Sequence, residues 1–112
     1  MLKRTLRYHH IGIPTDQPRP GEVYLPEHKV FVSGYEESPY HIEWMRYEPN
    51  CTLPDLVKNV PHVAFEVDNL EESLIGKEVL IAPNSPSRGV KVAFIVYNGA
   101  PVEFLEIEKD TR

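Results

Sequence analysis

Two places in this chain open a strand with histidine, and two later places carry a glutamate between large apolar residues. His10, Ile11, Gly12, Ile13 and His62, Val63, Ala64, Phe65 share one outline: histidine, apolar, small, apolar. Ile42, Glu43, Trp44 and Val102, Glu103, Phe104 share another: aliphatic, glutamate, aromatic. The glutamate follows the histidine by 33 positions in the first half (10 to 43) and by 41 in the second (62 to 103). One strand-rich unit used twice within 112 residues implies two halves that share a single core, because neither is long enough to bury one alone.

Alternation of apolar and polar residues predicts strands over 8–13, 29–33, 40–47, 62–67, 78–82, 90–97 and 101–107. Pro14, Pro18, Pro20, Gly21 and Pro26 rule out a long helix between the first two, so 14–27 reads as a surface connection. Pro49, Pro54 and Pro61 mark 48–61 as the linker, with room for one helical turn at 53–58. Asp68 followed by Glu71 reads as a capping box opening a short helix over 70–75, closed by Gly76. Pro83, Pro86 and Gly89 read as a loop over 83–89, Asn98-Gly99 as a type I′ hairpin, and 108–112 as a frayed polar tail. The expected fold is α+β: two βαβββ-type modules forming a curved, open-barrel sheet, the first lacking most of its helix. Residues 1–112 make one domain, with module one over 1–50 and module two over 60–108.

The two-residue strand period puts His10, Glu43, His62 and Glu103 on the faces opposite Ile11, Ile13, Ile42, Trp44, Val63, Phe65, Val102 and Phe104. The larger apolar set is expected to pack as core. The four polar side chains, with small Gly12 and Ala64 beside them, are free to converge in a cavity. Imidazole nitrogen and carboxylate oxygen together suit a borderline divalent ion: zinc, nickel, iron, manganese or cobalt. His41 and Met45 share Glu43's face, and Glu66 shares that of His62, so these three are weaker candidates for a substrate pocket. His9 is expected to face away from His10, and His28 to lie exposed in the connection. Tyr8, Tyr24, Tyr35 and Tyr40 are available to border the cavity.

A net charge of −5 with no basic run argues against nucleic acid and anionic membranes as partners. The lone Cys51 excludes an internal disulfide, and no base is expected near enough to make it a nucleophile. No apolar run follows the charges of Lys3, Arg4 and Arg7, and none reaches membrane-span length, so a cytoplasmic location is expected.

The segments His10–Ile13, His62–Val67 with Asp68–Ser73, and Val102–Glu106 resemble the repeating signatures of the vicinal oxygen chelate superfamily. That superfamily includes glyoxalase I, methylmalonyl-CoA epimerase, extradiol dioxygenases and the fosfomycin and bleomycin resistance proteins. The resemblance spans nearly the whole chain and is strongest from Pro61 to Ile107. It implies metal ligands on the first and last strands of each module, which fall on His10, Glu43, His62 and Glu103. It also implies a small-molecule substrate and a homodimer. The activity it implies is that of a lyase, isomerase or epimerase acting on a small carbonyl or hydroxy-acid compound through a metal-stabilised enediolate. Glu43 or Glu103 would double as the base. The alternatives are an extradiol-type dioxygenase and a non-catalytic binding or sequestering protein.

Overall fold

The computed structural model describes residues 6–108. The expected tail beyond Glu108, and the charges of Lys3 and Arg4, lie outside the described residues. Eight strands and two short helices follow in the order β1 (Arg7–Pro14), β2 (Val23–Leu25), β3 (Val30–Ser33), β4 (Ile42–Tyr47), α1 (Asp55–Asn59), β5 (His62–Glu66), α2 (Leu70–Ser73), β6 (Glu78–Ser87), β7 (Val90–Tyr97) and β8 (Ala100–Ile107). All eight strands form one mixed sheet in the order β2-β3-β4-β1-β5-β8-β7-β6.

The order displays the repeat. Each module pairs its first strand in parallel with its last, β1 with β4 and β5 with β8. The modules join along the antiparallel β1–β5 seam, where His10 faces Ala64, Ile11 faces Val63 and Gly12 faces His62. The same offset relates His10 to His62 and Gly12 to Ala64. The sheet curls into an open barrel, and its two outer edges meet where His28, after β2, hydrogen-bonds Asn84 of β6 at 2.9 Å.

On the outer face of module two, α2 inserts Leu70 among Val67, Ala93, Ile95 and Phe104, with Phe65, Leu74 and Val102 packed around them. Among the described residues, module one has no counterpart to α2. Of the eight residues expected in the core, only Phe104 is fully buried; Ile11, Ile13, Ile42, Trp44 and Val63 are half-buried. The proline-rich segment covers this face in part, with the Arg19 guanidinium 5.1 Å from the centre of the Trp44 ring.

Several local expectations need correction. The segment read as a bare connection contains β2, a short edge strand paired to β3. The loop expected over 83–89 is largely strand, since β6 runs to Ser87 despite Pro83 and Pro86. An edge strand tolerates proline because its outward N–H needs no partner, and the three register shifts along β6 absorb the missing bonds. The helix after β5 is capped by Asn69, not Asp68: the Asn69 side chain accepts from the Glu72 N–H at 2.9 Å. Val67 extends the pairing with β8 through Leu105 O, and Asp68 turns to Arg7 instead. Glu108 is bonded to Gly89 O at 2.7 Å. The Asn98-Gly99 turn has both residues at positive φ, as a type I′ hairpin requires. No helix among the described residues is long and apolar enough to cross a membrane.

Candidate metal centre

Four adjacent strands at the middle of the sheet, β4, β1, β5 and β8, each contribute one side chain. Glu43 lies opposite Gly12, and Glu103 opposite Ala64, in the two parallel ladders. The concave curl then brings the side chains together. Glu103 Oε1 lies 3.0 Å from His62 Nε2 and 3.3 Å from His10 Nε2. Ligand atoms of His10, His62 and Glu103 all fall within 4.8 Å of one another, and all three residues are buried. This group can hold a metal ion. Glu43 stands at its side, with Oε1 3.5 Å from His10 Nε2, and is less deeply buried.

Small residues make this packing feasible. A Cβ on Gly12 would lie 2.3 Å from His62 Cε1 and 2.7 Å from Met45 Sδ. Gly12 is therefore required for space, since the His62 ring lies directly over its backbone. The ring of Phe94 meets the other ring edge-on, with centroids 4.9 Å apart.

The two carboxylates sit in different electrostatic environments. Burial pushes Glu103 up, but the adjoining His10 and His62 imidazoles outweigh it and bring its pKa down to about 2. Burial pushes Glu43 up and the neighbouring Glu103 charge adds to this; attraction to His10 and His62 only partly offsets them. For His10, burial favours the neutral ring, while Glu103 and then Glu43 favour the cation and prevail. Even so, His10 Nε2 and His62 Nδ1 are buried with no hydrogen-bond partner.

His9 was expected to face away. A register shift between Tyr8 and His10 swings it to the same side as His10, and the two Nδ1 atoms lie 2.8 Å apart. Such a bulge leaves no mark on periodicity, so the sequence carried no signal for it. His9 also stacks on Tyr35 at 5.3 Å, and both line the cavity beside the centre. Met45 lines it too. His41 does not: its φ of 57° breaks the strand alternation, so β4 starts only at Ile42 and His41 lies exposed between Tyr8 and Tyr35. There its Nδ1 pairs with His9 O at 2.9 Å. Glu66 is drawn outward to Arg7, at 3.5 Å, and lines a separate surface groove. His28 is half-buried and lines the cavity rather than lying exposed. Cys51 is buried, its Sγ donating to His28 O. Tyr8, Tyr24 and Tyr40 are exposed and away from the cavity.

No family model matches the chain, and no curated protein matches it. Among solved structures it is similar to the crystal structure of hypothetical protein BH1468 from Bacillus halodurans. The TM-score is 0.68 over 99% of each chain, at 20% sequence identity. At that identity the likeness shows a shared fold.

Proposed function

We propose that this chain is a metal-dependent lyase or isomerase of the glyoxalase type, within the vicinal oxygen chelate superfamily, acting on a small carbonyl or hydroxy-acid compound. The observation that carries the reading is the buried His10 Nε2, which has no hydrogen-bond partner although it sits beside two carboxylates. A buried polar atom without a partner costs about 1–3 kcal/mol, and a cation among these donors would remove that cost. Two imidazole nitrogens and two carboxylates are a competent donor set for a divalent ion, so the residues fit the group.

His10, His62 and Glu103 would hold the ion, with Glu43 as the fourth ligand. A divalent ion there supplies Lewis acidity towards two neighbouring oxygens. The protein's own groups supply the remainder. Glu43 is the less buried carboxylate, so besides serving as a ligand it would double as the base that takes a proton from the carbon next to a carbonyl and returns it to the adjacent carbon. His62 holds Glu103 in place through the 3.0 Å bond. The apolar cavity walls keep water from the reacting carbon.

The test is metal content by mass spectrometry on protein purified without added metal or a His tag, alongside His10→Ala and Glu103→Ala. About one ion per chain, lost in both variants, supports the reading; a parent with no metal even after reconstitution defeats it. The homodimer belongs to the same proposal, and a pure monomer in sedimentation at micromolar concentration would remove it.

A second reading, an extradiol-type dioxygenase, is favoured by one observation: the tight group is two histidines and one carboxylate, with Glu43 set apart. That set suits iron that activates oxygen. Oxygen uptake with a catechol by the Glu43→Gln variant loaded with iron separates the two readings.

A further inference from the structure

We propose that the cavity beside the metal centre selects a small hydroxy-carbonyl compound with an apolar body and rejects phosphorylated ones. The inference rests on the chelate reading above and adds the chemistry of the part of the ligand that the metal does not touch.

The cavity measures about 220 Å³, below the roughly 300–1,000 Å³ usual for drug-sized ligands. Its polar floor is His10, Glu43 and Glu103, with His9 beside them. Its walls follow from strand register. Beyond Glu103, the inward row of β8 continues as Leu105 and Ile107, paired with Val92 and Val90 of β7. Beyond Glu43, the inward row of β4 continues as Met45 and Tyr47, paired with Val32 and Val30 of β3. All eight line the cavity. A ligand whose two oxygens reach the floor must therefore lay the rest of its body against mainly apolar side chains.

Charge points the same way. No lysine or arginine among the described residues lines the cavity. Three other cations are committed elsewhere: Arg46 to Glu22 at 2.6 Å and to the Phe31 ring, Arg7 to Asp68 at 3.0 Å, and Lys58 to Cys51 O at 3.0 Å. A phosphoryl dianion would be buried beside Glu43 and Glu103 with no lysine or arginine to pair it, and a poorly paired buried charge is strongly disfavoured. A neutral aliphatic or phenyl group gains about 25 cal/mol for each Å² it removes from water.

The test uses two probes with the same α-hydroxyketone head: 2-hydroxyacetophenone, with a phenyl body, and dihydroxyacetone phosphate. Each is titrated into methyl-labelled full-length protein, both zinc-loaded and metal-free, and the methyl signals of Val30, Val92 and Leu105 are followed by NMR. The expected result is saturable shifts of those methyls with 2-hydroxyacetophenone, binding at least tenfold tighter than the phosphate. Equal or tighter binding of dihydroxyacetone phosphate overturns the proposal, as does the absence of cavity shifts with 2-hydroxyacetophenone in both metal states. Failure of the underlying reading looks different. If 2-hydroxyacetophenone binds equally well with and without zinc, the selectivity of the cavity stands and metal chelation of the ligand does not.

Discussion

Gly12→Ala places one methyl group where the His62 imidazole now lies. The new Cβ would sit 2.3 Å from His62 Cε1, against 3.4 Å or more in ordinary contacts. The ring must therefore retreat by about 1 Å. It has little room to do so, with Phe94 edge-on to it and Glu103 held at 3.0 Å. Overpacking of this kind costs about 1–3 kcal/mol. Loss of the bond to a charged carboxylate adds about 1.5–3 kcal/mol. Urea unfolding of the metal-free variant should therefore show a loss of roughly 2.5–6 kcal/mol. A displaced ligand should also weaken the metal by about 10–100-fold, the range seen when a ligand's support is removed. Competition against a chromogenic chelator measures that directly. A variant within about 0.5 kcal/mol of the parent, the ordinary range for harmless surface changes, and with unchanged metal affinity would refute the packing of His62 over Gly12.

Three further outcomes are expected. With Nε2 bound to an ion, His10 would carry its proton on Nδ1 and donate it to His9 Nδ1, 2.8 Å away; His9→Phe should lower metal affinity about 10–100-fold while His9→Asn, which retains an acceptor, should stay near the parent, and equal losses in chelator competition would contradict the role. Leu70→Ala removes the fully buried anchor of α2 and should cost about 2–5 kcal/mol in denaturant unfolding; a negligible loss would mean that α2 does not close the core. Arg46 hydrogen-bonds Glu22 and, against the opposing effect of burial, holds its pKa below 4.5; that stability is present above 4.5 and lost as pH falls through the folded value, so Glu22→Gln should flatten the acid loss in thermal melts taken below 4.5, and an unchanged slope would refute it.

The residues of the centre were legible in the sequence, because residue type and strand period are local properties. His10, Glu43, His62 and Glu103 stand out as two copies of one pattern, and alternation puts each opposite its strand's larger apolar residues. The Asn98-Gly99 hairpin was equally local, since only residues that tolerate positive φ can make it. What needed tertiary structure was anything set by a partner strand. Convergence of the four side chains depends on the β1–β5 seam and the curl of the sheet, neither of which has a sequence period. The bulge that turns His9 inward and the left-handed backbone that turns His41 outward each reverse a side chain through a single residue, where periodicity assumes perfect alternation. The burial of Phe104 and the half-exposure of Trp44 follow from α2 covering one module while no helix among the described residues covers the other. A strand's apolar face records that it can be buried; only the element packed against it decides whether it is.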